Sequence, residues 1–153
     1  MRNAKEFRLA IGFFVLASAA ILLTRFNGGV ALLWVANAPL LAHLCRTRYA
    51  RWPAALLWTA AASVAASVLF GPVLWAGPIF GIASILEAML AAIALRYLLA
   101  DRDWFASSKS VAVFAAVAGL AAPMTSGVIA ATTAWLAFGR PWTPIYLDWV
   151  VGR

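Results

Sequence analysis

A single acidic residue, Glu87, lies inside the apolar run PIFGIASILEAMLAAIALRYLL, which extends from Pro78 to Leu99 and is long enough to cross a membrane. A helix rises ~1.5 Å per residue, so Glu87 would lie about 13 Å from Pro78, near the middle of a hydrocarbon layer ~30 Å thick. Placing a carboxylate there costs roughly 3 kcal/mol or more. We therefore expect Glu87 to face other helices and to be either protonated or hydrogen-bonded.

The composition also indicates a membrane protein. Hydrophobic residues make up 65% of the chain and charged residues 11%, and the mean hydropathy is +0.92. The formal charge of +7 does not indicate nucleic-acid binding here, because the basic residues cluster between apolar runs, where they set topology and meet anionic lipid headgroups. The single cysteine, Cys45, excludes a multi-thiolate metal site made by this chain alone. We predict no metal site.

Apolar runs of near-spanning length recur along the chain, and each predicts a transmembrane helix. The predicted helices are residues 9–24, 28–44, 53–70, 78–100 and 111–138. They define an all-α, polytopic membrane helix bundle in one domain, residues 1–153, with about five spans. The first run resembles a signal peptide, but it continues beyond the candidate cleavage site, so we expect a retained helix. We expect kinks at Pro39 and Pro123, and an interfacial tail over residues 140–153.

Orientation follows from the distribution of basic residues. Nine Lys and Arg residues fall on the side of the N-terminus and three on the other side. The positive-inside rule then predicts a cytoplasmic N-terminus in a bacterial inner membrane.

Polar residues on three predicted helices share one depth. Asn37 lies nine residues from Gly28, as Glu87 lies nine residues from Pro78, and Thr125 and Ser126 lie near the centre of the last span. We predict a buried polar cluster of Asn37, Glu87, Thr125 and Ser126. It would either lock helices together or form a proton or ligand site with a raised carboxyl pKa. We favour the lock.

Histidine and tryptophan supply the other candidate contacts. His43 is the only histidine, so bis-histidine haem is excluded, and a helix-end role is favoured over ligation. The residues considered for contact with a ligand, a lipid or a chlorophyll-type pigment are His43, Trp34 and Trp58. We predict no bound cofactor. Positions expected at the lipid interface are Arg46, Arg48, Arg51, Trp52, Trp104, Trp142 and Trp149. We find no phosphate loop, nucleophile elbow or paired carboxylates in the sequence, and we do not expect an enzyme.

Four stretches resemble the N-terminal half of the membrane-associated sensor family, type one. They are GGVALLWVANAPLLAHL, ASILEAMLAAIALRYLL, AAPMTSGVIAATTAWLAFG and WTPIYLDWVVG, and they cover about residues 28 to 152. The resemblance implies an input module of bacterial signalling that usually precedes a histidine kinase or a diguanylate cyclase. It also implies that Trp34, Asn37 and Glu87 fall on recurring positions of that family. Residues 1–153 contain neither the further helices nor the output domain that the resemblance implies.

Two functions remain open. In the first, the chain is a non-catalytic accessory subunit that packs against a larger membrane complex, such as a respiratory or photosynthetic energy-converting one. In the second, it is the sensory input domain of a signalling protein. We favour the first, because residues 1–153 contain no output domain. Its expected partners are other integral membrane proteins and anionic lipids, with no nucleic acid.

Overall fold

The computed structural model describes residues 4–24, 35–71, 75–99 and 107–151, and within these ranges every regular element is a helix. A 3₁₀ turn, Tyr49–Arg51, precedes α3, and a π-helical turn, Val117–Ala121, joins α5 to α6. The α-helices are α1 (Ala4–Thr24), α2 (Asn37–Arg46), α3 (Trp52–Phe70), α4 (Ala76–Leu98), α5 (Ser108–Ala116), α6 (Ala122–Phe138) and α7 (Trp142–Val151). The prediction of an all-helical membrane bundle is confirmed.

Four helical segments in the described ranges are long and apolar enough to cross a membrane, against the five spans predicted. They are Ala4–Leu23, Tyr49–Phe70, Ala76–Leu98 and Ser108–Phe138. Of the predicted span 28–44, residues 28–34 lie outside the described ranges, and the described part contributes the short helix α2.

Helix α4 is the central element. It packs against α2, α3 and α6, and half of its most apolar window is buried. Its inward face consists mainly of small residues, which lets neighbouring helices approach closely. The buried residues of this face include Ala83, Ser84, Glu87, Ala88, Ala91, Ala92 and Leu95. Helix α1 packs along α3, and its Phe13 and Ala17 are fully buried in a core shared with α2 and α4.

The crossing of α3 and α4 depends on the small residues that the sequence indicated. Ser63 and Ser67 on α3 lie against Gly81 and Gly77 on α4. A Cβ atom added at Gly77 would lie 2.5 Å from the Cβ of Ser67, and one added at Gly81 would overlap the Oγ of Ser63. The two backbones therefore approach more closely than an alanine at either glycine would allow.

Pro39 and Pro123, where kinks were predicted, both lie in the first turn of a described helix, but only Pro123 follows a π turn. Pro39 lies in the first turn of the described helix α2, where a missing N–H costs no intrahelical hydrogen bond. Residues 28–34 of the predicted span lie outside the described ranges, so the kink at Pro39 stays a prediction. Pro123 lies in the first turn of α6, directly after the π turn Val117–Ala121. The wider π turn relieves the hydrogen-bonding conflict that Pro123 introduces, and the interruption predicted there takes this form.

The C-terminal tail folds back as a helix on the bundle. The chain reverses at Gly139, which adopts a left-handed conformation (φ 62°) after the last turn of α6. Helix α7 then packs along α6. Gly127 of α6 lies under this contact, because an added Cβ would come within 3.1 Å of the Tyr146 ring and 3.3 Å of Trp149 Cδ1. This close packing brings one residue of the tail into the interior.

Candidate functional site

Glu87 is buried among hydrogen-bond donors from three other helices. Its side chain is 5% exposed. Asn37 Nδ2 donates to Oε1 at 2.8 Å, and Ser126 Oγ donates to Oε2 at 2.5 Å. Trp149 Nε1 donates to Oε2 at 3.3 Å and to Ser126 Oγ at 2.9 Å. We call Asn37, Glu87, Ser126 and Trp149 the Glu87 cluster; it joins α2, α4, α6 and α7.

Local sequence explains how each member is positioned. Glu87 lies on the small-residue face of α4, one turn from Ala83 and Ala91, so α6 can come within hydrogen-bonding distance. Asn37 begins the described helix α2, and its side chain bonds to α4 across the interface. Trp149 reaches the carboxylate from α7 through the close contact at Gly127. The cluster therefore depends on small residues as much as on its polar members.

The geometry accommodates Glu87 with or without a proton. As a carboxylate, it accepts hydrogen bonds at both oxygens from the amide, hydroxyl and indole groups. If Oε2 is protonated, it can donate to Ser126 Oγ, because the Ser126 hydroxyl has a second acceptor in the carbonyl oxygen of Pro123 at 3.3 Å. In both states the buried oxygens have partners, which removes most of the cost of burying them.

Two of the predicted partners meet Glu87 and one does not. Asn37 and Ser126 both bond to it. The inclusion of Thr125 is wrong: its side chain is exposed, and its hydroxyl donates to the carbonyl oxygen of Ala122 at 2.7 Å. Adjacent helical residues point about 100° apart, so Thr125 and Ser126 cannot both face α4.

Trp149 is the member that sequence reasoning missed. We predicted it at the lipid interface, but it is 4% exposed and its ring packs against Phe80 of α4, with ring centroids 6.0 Å apart. Two signals in the sequence were available: the indole N–H is a donor that needs a partner when buried, and the small residues around Ser126 leave room for a ring. Neither signal specified that the tail folds back.

The C-terminal end of α2 is capped by an arginine side chain of α4. Arg96 of α4 donates through Nη1 to the carbonyl oxygens of Thr47 at 2.5 Å and Leu44 at 3.2 Å. Its guanidinium also lies 4.2 Å from the centroid of the Tyr49 ring. These contacts satisfy carbonyls that the end of a helix leaves without partners, and a cation is favoured there. Arg96, and not the His43 side chain, therefore caps α2.

The predicted interfacial residues fall into three groups. Arg46, Arg48 and Arg51 are exposed, and Trp142 is 36% exposed while donating to Thr132 Oγ1 at 3.2 Å. For Trp52 the interfacial prediction is wrong, because it is 5% exposed and its indole N–H donates to the Leu44 carbonyl oxygen at 3.0 Å. Trp104 lies outside the described residues.

The residues considered for ligand contact do not form one site. Trp58 is 38% exposed on α3 and makes an edge contact with Phe7 of α1. Trp34 lies outside the described ranges. His43 Nε2 is buried and has no hydrogen-bond partner among the described residues.

The described part of the chain indicates neither a metal site nor a reactive cysteine. Within it, no group of three or more His, Cys, Asp and Glu side chains is placed to hold a metal ion. Burial raises the pKa of the Cys45 thiol to about 11, although nearby Arg96 acts in the opposite direction. At neutral pH this thiol is protonated and a poor nucleophile.

Comparison with known proteins assigns the chain to no family. No family model matches it, and the comparisons with curated proteins and with solved structures found no match. The resemblance to the membrane-associated sensor family therefore stays a prediction from the sequence.

Proposed function

We propose that this protein is a non-catalytic accessory subunit of the bacterial inner membrane, which packs against a larger membrane protein complex. The proposal is carried by one observation, the contrast between two outward faces of the bundle. One face has the bulky apolar side chains that suit lipid. The other has small residues that suit close contact with another helix.

The face that suits lipid is on α1. Its exposed side chains are large and apolar: Phe7, Ile11, Val15, Leu22 and Leu23. Such side chains fill the space between acyl chains, and they hold a neighbouring protein helix at a distance. This face needs no protein partner in a membrane.

Exposed small residues are grouped on α5 and the π turn, with two bulky exposed residues, Val111 and Leu120, in the same segment. We call the exposed small residues there the α5 outer face: Ala112, Ala115, Ala116, Gly119 and Ala121. The span that contains them, Ser108–Phe138, is the least buried of the four, with 22% of its most apolar window buried. Lipid provides no hydrophobic driving force for helix association, so close packing at small residues is a main source of affinity between membrane helices. The α5 outer face therefore favours a transmembrane helix of another protein.

The Glu87 cluster supports a structural role for the chain itself. Its donors come from three helices and occupy both carboxylate oxygens. A carboxylate satisfied in this way fixes the relative positions of the helices. The bundle then presents its outer faces as a rigid surface.

Purification from native membrane in mild detergent tests the proposal. We expect the affinity-tagged protein to elute with a stoichiometric larger complex, and Gly119→Leu to reduce that recovery at least tenfold by placing a bulky side chain on the α5 outer face. Recovery of the chain alone, with no cross-linked partner in intact membranes, would contradict the proposal.

The chain offers a matched control for this experiment. Gly12 of α1 is also an exposed glycine, and a Cβ built at Gly12 or Gly119 meets nothing within 4 Å. Gly12→Leu adds the same bulk to the face that suits lipid, so it should leave the complex intact. Equal losses from the two variants would count against a specific α5 interface.

A second candidate function is sensory input to a kinase or cyclase. It is favoured by Trp149, because this residue joins the C-terminal helix directly to the buried carboxylate, so a change at Glu87 would reach α7. The same purification distinguishes the two functions. Recovery with a histidine kinase or a diguanylate cyclase would support sensing and would overturn the accessory role.

A further inference from the structure

Helix α7 runs back along α6 from one end of the bundle towards its middle. Trp142, in the first turn of α7, donates to Thr132 Oγ1 of α6 at 3.2 Å. Further along α7, Trp149 Nε1 lies 2.9 Å from Ser126 Oγ, and Trp149 Cδ1, which is close to the backbone, lies against Gly127. As α7 advances by seven residues, its contacts on α6 move back by six, so the two helices are antiparallel. Helix α7 therefore descends by about 10 Å over these residues.

The layer that α7 reaches lies halfway along α4. Glu87, whose Oε2 accepts from Trp149 Nε1 at 3.3 Å, is eleven residues from each end of α4, Ala76 and Leu98. At ~1.5 Å per residue, Glu87 is about 16 Å from either end, which is the middle of a hydrocarbon core ~30 Å thick. The last turns of α7 are therefore in the membrane interior.

Asp148 brings another carboxylate to this layer, on the outside of the bundle. It precedes Trp149, and successive helical residues point about 100° apart, so the two side chains do not share a face. Asp148 is exposed, and it makes no hydrogen bond or ion pair within the part of the chain that the structure describes. One turn further on, Val151 is 82% exposed.

Lipid does not provide what an exposed carboxylate needs at this depth. Acidic side chains in the hydrocarbon core are costly and pair with other polar groups or face an aqueous cavity. Lysine and arginine can extend towards the headgroups, but the aspartate side chain is too short to cross about 15 Å of hydrocarbon. Asp148 therefore needs a partner from outside the described bundle.

A second copy of the chain is a poor partner for Asp148. The eight described Lys and Arg residues all lie within four residues of a helix end or in the turns between helices, so none comes from the middle of a span. A two-fold contact through α7 would also bring two Asp148 carboxylates together, and like charges repel strongly where the dielectric constant is low.

We propose that Asp148 forms a salt bridge with a lysine or arginine in a transmembrane helix of the partner complex. A basic side chain inside the membrane is as costly as an acidic one, and pairing the two opposite charges compensates both. This inference rests on the accessory role proposed above, and it adds a contact on α7 that is separate from the α5 outer face. Because charged partners are rare in membrane helices, the pair would also make the contact specific.

Recovery of the complex from native membranes in mild detergent tests the charge. We expect Asp148→Asn, which is nearly isosteric but neutral, to reduce recovery by about tenfold or more, and Asp148→Glu to retain most of it. Thr125→Val is the matched control: it removes an exposed polar group from the same layer, but the Thr125 hydroxyl is bonded within α6 to the Ala122 carbonyl oxygen. Its recovery should equal that of the wild type.

The failure of this inference is distinguishable from failure of the accessory role. Undiminished recovery with Asp148→Asn, or an equal loss with Thr125→Val, would overturn the salt bridge and leave the accessory role standing. Recovery of the wild-type chain alone would overturn both. Arg153 follows Asp148 by five residues in the sequence, and a loss with Arg153→Gln equal to that with Asp148→Asn would overturn the proposal in favour of a partner within the chain.

Cross-linking with Asp148 intact makes the result independent of how Asp148→Asn folds. A photoreactive amino acid at Val151 should label, in intact native membranes, an apolar segment of another protein that contains a lysine or arginine. Replacing that basic residue with glutamine should reduce recovery as much as Asp148→Asn does, and combining the two substitutions should add little further loss. No labelling, labelling of a second copy of this chain or of a segment without a basic residue, or fully additive losses would overturn the proposal.

Discussion

Glu87 and Glu6 are buried to the same extent, each 5% exposed, but they differ in their partners. Glu87 accepts hydrogen bonds from three helices, whereas Glu6 has a buried oxygen with no partner in the described structure. Burial alone therefore does not determine what a carboxylate does in this bundle. A buried carboxylate with hydrogen bonds at both oxygens stabilises the fold, whereas one with an unpartnered oxygen lacks part of that compensation for its burial. Substitutions at the two carboxylates and at their neighbours test this difference.

Replacing Glu87 with leucine should have the largest effect. Glu87→Leu removes the acceptor of Asn37, Ser126 and Trp149, and we expect it to lower the free energy of unfolding by about 3 kcal/mol, since each lost membrane hydrogen bond costs ~0.6–2 kcal/mol. Reversible unfolding in mixed detergent micelles measures the change.

The matched control is Glu6→Leu. It removes an equally buried carboxylate that has an unpartnered oxygen, so we expect a change within about 1 kcal/mol or a gain in stability. Equal destabilisation by the two variants would remove the distinction between the two carboxylates.

Adding one methyl group at Gly127 tests the packing that brings Trp149 to Glu87. Gly127→Ala places a Cβ 3.1 Å from the Tyr146 ring, so the ring has to move. Alanine also gains about 1 kcal/mol of helix propensity over glycine. We therefore expect Gly127→Ala to be about 2 kcal/mol less stable than the same substitution at Gly119, with faster hydrogen exchange in α7. Gly119→Ala is the control, because its added Cβ meets nothing within 4 Å. Unchanged exchange in α7 after Gly127→Ala would show that the tail does not depend on this contact.

Removing the indole N–H tests the hydrogen bond separately from the packing. Trp149→Phe retains an aromatic ring but leaves Glu87 with fewer donors, and we expect a loss of about 1.5 kcal/mol. The same substitution at Trp135, which is 54% exposed on α6, should change stability by less than about 0.5 kcal/mol. A double-mutant cycle of Trp149→Phe with Ser126→Ala should give a coupling of about 0.5 kcal/mol or more, and strict additivity would argue against a shared network.

The smallest effect is expected at the Arg96 end of α2. Arg96→Gln weakens the cap on the Thr47 and Leu44 carbonyls and removes the stacking on Tyr49, so we expect a loss of about 1 kcal/mol and faster exchange in the last turn of α2. Arg46→Gln, at an exposed position of the same helix, is the control. If both variants behave alike, the cap contributes no specific stability.

Much of the fold follows from patterns that depend only on local chemistry. Long apolar runs must be helices in a membrane, since every backbone polar group needs an internal partner, and this predicts α1, α3, α4 and the α5–α6 span. Depth along the helices was sufficient to pair Asn37 with Glu87. Depth was not sufficient to choose between Thr125 and Ser126, because that choice depends on how α6 is rotated about its own axis.

The apolar run around Glu87 is enough to predict that this residue lies in a membrane helix and needs partners, because an unpartnered carboxylate at that depth is too costly. Which partners it has depends on how the helices pack. Trp149 reaches Glu87 because the chain reverses at Gly139 and α7 packs against Gly127, and these contacts join residues that are far apart along the chain. The difference between Glu87 and Glu6 likewise lies in the arrangement of neighbouring helices, which no local pattern around either residue encodes.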